Sequence, residues 1–399
     1  MSGLAELLLV VLAVPAAFSC GYLLLLTLLS ARLPVPRPTS RQTRFDIIVP
    51  AHNEETGITR VVKSLLAIDW PRDQFRVVVV ADNCSDATAA VARAAGAQVL
   101  ERTDLTLRGK GYALAYAFAW SIKDGFAKAV VVIDADAEVT PNLLEAFAAR
   151  IEHGAMAMQA HYGVLNPSTS WRTQLLAIAK GAFHTVRSRA RERLGASCGV
   201  RGNGWCVTHE LLHKVPYQYF SLTEDVEYGI ALGLAGVRVE YAGEAHSDAD
   251  MASSEKSART QRQRWEQGRF ALIRQSTWPL LRAASERRSL VCLDLALDLM
   301  VLPLSYVTLN IFLLGALAAI LSIWIPAATL WAWWALVCAA ILVLHVLRGW
   351  QLSGVGARGL TAFAHVPGFI LWRIWLLLAR KPDQWVRTER EKQKARTTP

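Results

Sequence analysis

Residues 129–140 read AVVVIDADAEVT, and the rest of the chain takes its meaning from them. The aliphatic run Val130 to Ile133 has the composition of a strand buried on both faces. It delivers Asp134 and Asp136 where the chain leaves the sheet, the edge at which α/β proteins hold their ligands. Strand residues alternate between faces, so two aspartates at i and i+2 can turn the same way and share one divalent cation. Taken alone, Asp-Ala-Asp is explained as well by an Asp-rich turn. The neighbouring motifs decide.

Upstream, a strand from Phe45 ends in Pro50-Ala51-His52-Asn53-Glu54-Glu55, followed by a helix with apolar positions at Ile58, Val61, Val62, Leu65 and Leu66. A second strand, Phe75 to Val80, closes on Ala81-Asp82-Asn83-Cys84-Ser85-Asp86. An Ala-rich helix over 87–95, a short strand at Val99-Leu100 and a helix from Tyr112 to Phe126 complete the alternation. Strand and helix in turn predict an α/β domain with a mostly parallel sheet covered on both faces. Asp82 is placed to accept from the N–H edge of a base, or else to cap the next helix, a role that Ser85 and Asp86 also suit. Arg108-Gly109-Lys110-Gly111 precedes a helix start, so Lys110 is either a diphosphate contact or part of a solvated basic turn.

Downstream, a helix runs to Ile151 and a strand is expected over Met156–Val164. Ser170 to Arg193 reads as one helix, with Trp171, Leu175, Ile178 and Phe183 on one side and Arg187, Arg189, Arg191 and Arg193 near its end. Such a helix is either a membrane-surface element or a core helix with a solvated basic face. Residues 198–207, CGVRGNGWCV, are glycine-rich, and Trp205 reads as exposed. Thr223-Glu224-Asp225 opens the next helix; Thr223 suits an N-cap, and the two acids suit either chemistry or the helix dipole. Gln261-Arg262-Gln263-Arg264-Trp265 lies on a strongly basic helix.

The chain has 399 residues, 53% of them hydrophobic, and a net charge of +10. Its apolar excess lies at the two ends. Residues 4–29 are long and apolar enough to span a bilayer as a retained anchor rather than a cleaved leader. The basic, Pro-rich link 32–44, with Arg32, Arg37, Arg41 and Arg44, marks the cytoplasmic side. Leu304–Trp324 and Leu330–Leu347 are two further spans. Asp294 and Asp298, within 290–300, are costly in lipid and favour either an interface helix or a continuation of the next span that faces protein. Residues 366–379 are expected at the interface, because a crossing there would put the basic tail 381–399 outside. The expected plan is thus an anchor (1–31), a link (32–44), a cytoplasmic catalytic domain (45–285), a membrane region (286–380) and a cytoplasmic tail, with three crossings in all. The six cysteines show no paired spacing and read as reduced thiols. The positive charge follows the membrane flanks and the motifs, without the aromatic-interleaved stripe of a nucleic-acid binder.

In order and in context, PAHNEE, Asp82, Asp134-Ala135-Asp136, Thr223-Glu224-Asp225 and Gln261-x-x-Arg264-Trp265 resemble the membrane-bound family 2 glycosyltransferases. That group includes cellulose, hyaluronan and poly-N-acetylglucosamine synthases and ceramide glucosyltransferase; the likeness covers roughly residues 45–270. It implies a GT-A type, Rossmann-like nucleotide-sugar domain and transfer with inversion from a nucleotide sugar, UDP being the expected carrier. Asp134 and Asp136 would then hold Mg²⁺ or Mn²⁺, with Asp136 the favoured direct ligand. Asp225, with Glu224 beside it, would be the general base, and Arg264 would lie near the diphosphate. Pro50, Ala51, Asn53, Glu54, Asp82, Lys110 and Ala135 would line the donor site; Gly204, Trp205, Gln261 and Trp265 would face the acceptor, although Trp265 suits core packing equally. The PAHNEE form is closer to the bacterial polysaccharide enzymes than to the ceramide enzymes. Inversion of an α-linked donor gives a β-linked product, in exopolysaccharide or glycolipid synthesis at a bacterial inner membrane. Three spans make a thin channel, so either the acceptor is a lipid or lipid-linked sugar, or a second copy or export partner completes the pore. The alternative is a membrane scaffold or regulatory subunit with a decayed transferase domain.

Overall fold

The computed structural model describes residues 2–38, 40–251, 255–366 and 368; the side chains of 2 and 255–267 lie outside that description. The first half runs α1 (Ser2–Leu28), β1 (Phe45–Ala51), α2 (Ile58–Leu66), β2 (Phe75–Asp82), α3 (Thr88–Ala94), β3 (Gln98–Arg102), α4 (Lys110–Asp124), β4 (Ala129–Val132), β5 (Ala137–Val139) and α5 (Leu143–Glu152). The second continues with β6 (Ala157–His161), α6 (Trp171–Lys180), α7 (Arg187–Arg193), β7 (Trp205–Thr208), α8 (His209–Lys214), α9 (Glu224–Leu234) and β8 (Glu240–Ala249). Then come α10 (Glu255–Arg287), α11 (Leu290–Met300), α12 (Leu304–Leu321) and α13 (Thr329–Leu352).

One mixed sheet carries the strands in the order β3-β2-β1-β4-β7-β6-β8-β5. β3, β2, β1 and β4 are parallel; β7 runs antiparallel between β4 and β6, and β8 is parallel to β6. The apolar runs are explained by burial on both sides. Ile47, Val49, Val77, Val79 and Val131 pack with Val61, Val62 and Phe147 on one face, while Ile48, Val78, Val80, Val130 and Val132 meet Leu114, Phe118 and Tyr228 on the other. The sheet is therefore a mostly parallel α/β structure, as expected, with its parallel strands all ending at one edge.

Three helices are long and apolar enough to cross a membrane, Gly3–Leu28, Leu304–Leu321 and Pro326–Leu352. They pack on one another through Leu23, Leu26, Ile311, Leu314, Cys338 and Leu342. The tail 381–399, and the segment 366–379 apart from Val366 and Gly368, fall outside the described residues.

Residues 170–193 are not one amphipathic helix with a solvated basic face. After α6 the chain makes a π-helical stretch, Gly181–Val186, and then α7. Gly181 has no Cβ because the backbone of Gly349 in α13 occupies that space. Arg187 and Arg191 are 2% and 0% exposed. Arg191 Nε meets Asp294 at 2.5 Å, and Arg187 Nη1 and Arg191 Nη1 each reach Asp298 at 3.1 Å. Of the two readings of this segment, the acids of α11 thus fit the one that faces protein: they meet arginines, and Tyr22 of α1 donates to Asp294 (2.8 Å). Two buried features that are costly alone, a basic helix and acids in an apolar helix, satisfy one another.

Candidate active site

The loops at the carboxyl edge of β1, β2 and β4 bring the expected donor-side residues close to one another. The loops after β1 and β2 interlock: Asn53 Oδ1 accepts from the Ser85 N–H (2.7 Å), Glu55 Oε2 from the Ala87 N–H (3.0 Å), and the Glu54 N–H donates to Thr88 Oγ1 (2.7 Å). Asn53 and Asn83 adopt φ values of 56° and 52°, a region that asparagine tolerates better than most residues. Pro50 and Ala51 are the last residues of β1, paired with Val80 and Ala81. Asp82 is not a free acceptor: Arg102 holds its Oδ1 at 2.6 Å, and His52 Nδ1 lies 2.8 Å from its carbonyl. Ala87, not Asp82, is the N-cap of α3, and Asp86 just before it accepts from the Thr88 N–H at 3.0 Å.

The centre of the site is Lys110, at the start of α4. Its Nζ donates to Asp134 Oδ1 (2.5 Å) and to the Gly202 carbonyl (2.6 Å). Asn203 Oδ1 accepts from the Asp134 N–H (3.0 Å) and from Ser247 Oγ (3.0 Å), fixing the turn that ends β4. Ala135 is buried within that turn, and the Asp136 carbonyl accepts from Arg60, which also pairs with Asp250 at 2.6 Å. Gly202, at φ 83°, lets the loop pass Asp225; a Cβ there would sit 3.0 Å from Asp225 Oδ2.

Glu224 and Asp225 open α9 beside Lys110. Thr223 precedes it without a side-chain cap, but its side chain packs on Gly268 of α10. Burial, and then the Asp225 charge, push Glu224 up to about 7. Burial also raises Asp225, against the pull of Lys110. Although burial opposes it, the carboxylates of Asp134, Glu224 and Asp225 hold the Lys110 ammonium well above its usual range. One fixed cation thus ties together the end of β4, the 201–204 loop and the start of α9.

Two acceptor-side assignments are corrected. Trp205 is 1% exposed: it is the first residue of β7, with its ring against Phe118, Tyr217 and Tyr228. Gly204 is buried with it, donating to the Val132 carbonyl (2.9 Å) and leaving no room for a Cβ beside Ser247. Both build the wall behind the site. Gln261, Arg264 and Trp265 lie on α10, but their side chains fall outside the described residues.

Arg60, which donates to the Asp136 carbonyl, was not singled out by sequence, whereas Arg201 and Asn203 lie in the segment Arg201-Gly202-Asn203-Gly204-Trp205 that the resemblance places on the acceptor side without a role for either. The sequence signal for Asn203 is its place between two glycines, Gly202 and Gly204, both at positive φ. The Arg201 N–H donates to Gln159 Oε1 (2.8 Å), and its guanidinium lies 3.5 Å from Asp298. Arg269 of α10 donates to the Asp298 carbonyl (2.7 Å), so the 201–204 loop and α10 both lean on α11.

Comparison with known proteins agrees with this geometry. A probable glycosyltransferase of Bacillus subtilis, YdaM, is 23% identical over 236 residues, covering 56% of this chain and 55% of its own. A β-monoglucosyldiacylglycerol synthase of Synechocystis is 27% identical over 231 residues, covering 56% and 47%. The chain thus spans about half the length of these curated relatives. A Pyrobaculum calidifontis mannosyltransferase, solved with GDP-mannose and Mn²⁺, is 20% identical, covers 86% of this chain and 98% of its own, and superposes with a TM-score of 0.50, a likeness of fold. The family described as "Glycosyltransferase like family 2" matches residues 43–268. On a match that covers more than half of the chain and contains Lys110, Asp134 and Asp225, the protein belongs to this glycosyltransferase-like family 2.

Proposed function

We propose that the protein transfers a sugar from a nucleotide donor, UDP being the expected carrier, to a membrane-associated or polysaccharide acceptor with inversion at the anomeric carbon. The observation that carries this reading is the convergence of Asp134 and Glu224-Asp225 on the Lys110 ammonium. The residues fit a hard divalent cation: two carboxylates, Asp134 and Asp136, leave one strand end together. Lys110 already engages Asp134 Oδ1, which favours Asp136 as the direct ligand. Such a cation, when bound, would neutralise charge on the departing diphosphate.

The remaining steps fall to the chain. Lys110 offers its positive charge, and the N-terminus of α4 its dipole, to the same leaving group. Asp225, half-buried and raised in pKa, takes the proton of the attacking hydroxyl on the face opposite the leaving group. Glu224 shares the site's proton balance. The 201–204 loop, held by Asn203 and Gln159, sets the distance between base and leaving group. The three apolar helices, with Arg32, Arg37, Arg41 and Arg44 beyond α1, support a catalytic unit at the cytoplasmic face. A lipid or lipid-linked acceptor then meets the site at the bilayer surface.

The experiment is release of nucleoside diphosphate by the reconstituted full chain across a panel of nucleotide sugars, with Mg²⁺, with Mn²⁺ and with chelator. Metal-dependent release from one donor is expected. Nucleotide binding without release, even with lipid acceptors added, would count against transferase activity.

A further inference from the structure

Where α1 and α13 end beside α7, arginines from three parts of the chain come together. Arg348 of α13 donates from Nε to Ser30 Oγ (2.9 Å) and from Nη2 to the Ser30 carbonyl (3.2 Å). Arg193 of α7 reaches the same stretch, from Nε to the Leu29 carbonyl (3.0 Å) and from Nη2 to the carbonyls of Ala31 (3.3 Å) and Arg32 (3.2 Å). Arg189 lies one helical turn before Arg193, on the same face of α7. Ala190 and Leu194, the next pair along, pack into the apolar cluster of the three membrane-length helices. α7 therefore rests on α1 and α13, with its arginines beside their ends.

The charge of this group is not balanced within the chain. Residues 29–44 and α13 contain no acid. The one acid of α7, Glu192, has both oxygens occupied, by Arg238 and by the Tyr241 N–H. Among the described residues no carboxylate pairs with Arg32, Arg189, Arg193 or Arg348, and the bonds of Arg193 and Arg348 all go to neutral oxygens. Burial, with the charges of Arg348 and Arg32 adding to it, holds the Arg189 guanidinium below its ordinary pKa, although Tyr241 works the other way. Like charges gathered without a counter-charge cost free energy, and a bound anion removes that cost.

We propose that Arg32, Arg189, Arg193 and Arg348 hold the phosphate of an anionic phospholipid in the leaflet that the catalytic domain faces, a site that rests on the reading of α1 and α13 as membrane spans. Those spans end at Leu28 and Leu352, which sets Ser30 and Arg348 at headgroup depth. Guanidinium forks match phosphate oxygens, and basic pockets between spanning helices suit anionic headgroups. The acyl chains have a place as well: Leu28, at the end of α1, and Leu344, one turn before Arg348 on α13, are 69% and 45% exposed. A free phosphate would use the cations alone, whereas a phospholipid uses both. Because Arg189 and Arg193 belong to the catalytic domain and Arg348 to a span, the bound lipid ties one to the other.

The test is native mass spectrometry of the full chain, delipidated in detergent and titrated with dioleoyl-phosphatidylglycerol, with dioleoyl-phosphatidylcholine or with inorganic phosphate. One phosphatidylglycerol should bind about tenfold more tightly than phosphatidylcholine, and millimolar inorganic phosphate should not displace it. R189Q/R348Q should lower its affinity by about tenfold or more, while K63Q/R93Q, which removes the same charge from exposed sites on α2 and α3, should not. R32Q, whose side chain makes no hydrogen bond among the described residues, should weaken binding several-fold with unchanged melting, which separates lost lipid affinity from lost folding. Equal retention of the two lipids, or equal loss in K63Q/R93Q, would overturn the site. Displacement by inorganic phosphate would overturn the lipid as its occupant. Failure of both lipids to associate would overturn the site and also count against α1 and α13 as spans.

Discussion

Arg191 Nε of α7 and Asp294 Oδ2 of α11 meet at 2.5 Å with both residues almost wholly buried. The pair is shared, since Arg191 also reaches Asp298. Removing Asp294 leaves Arg191 to share Asp298 with Arg187 and Arg201, three buried cations on one carboxylate, and breaking a buried pair in this way typically costs about 3–5 kcal/mol. Asp294→Ala is therefore expected to lower the melting temperature steeply, by thermal unfolding in detergent. Arg193, exposed and bonded among the described residues to backbone carbonyls of the link after α1, should tolerate Ala with a far smaller change.

Asp225→Asn removes the proposed base while leaving the two aspartates of β4 untouched. Turnover should fall by about a hundred- to ten-thousand-fold, the usual contribution of a positioned base. Nucleotide affinity, by calorimetry, should stay close to the parent. Normal turnover would move the base elsewhere.

Glu224 titrates near 7 and Asp225 above its usual range, so the rate should rise as pH is raised from 5 toward 8. The sign follows from the chemistry: the base works only when ionised. Glu224→Gln removes a negative neighbour, easing ionisation of Asp225, and should move the acid limb to lower pH. Lys110→Met removes the stabilising cation and should move it to higher pH, with a loss of rate besides.

Asp136→Ala should abolish the stimulation by Mn²⁺ or Mg²⁺ without preventing folding. The readout is diphosphate release against metal concentration. Activity that stays metal-dependent with an unchanged half-saturation would assign the cation to other ligands.

Trp205→Ala should act on stability rather than on acceptor recognition. Emptying a fully buried indole site costs about 3–5 kcal/mol, whereas Trp205→Phe should cost much less and leave the acceptor KM unchanged. A raised KM with normal stability would restore the acceptor-side role.

The parallel half of the sheet was legible because strands buried on both faces are written as unbroken apolar runs. The other half was not. β5 has three residues and β7 four, and β8, EYAGEAHSDA, mixes glycine and acids with small residues because only alternate positions face the core. Asp134, Lys110 and Asp225 stood out as charged residues at element boundaries, and they do converge. Trp205 misled for the opposite reason: glycines around an aromatic suggest an exposed loop, yet here positive-φ glycines bend the chain so that the ring turns inward. Arg187 and Arg191 were misread because their partners lie in a helix far downstream. The acids of that helix looked equally misplaced, and only pairing the two anomalies resolves either.

The separation of Arg191 from Asp294, 103 residues along the chain, has a consequence for biosynthesis. α7 leaves the ribosome long before α11 does, so its guanidiniums remain hydrated while the sheet is already complete. The α7 side of the nascent domain can close only when α11 arrives. Docking of that helix is thus a late checkpoint in assembly, and a chain stalled before residue 290 would keep an open, charged seam, a ready target for quality control.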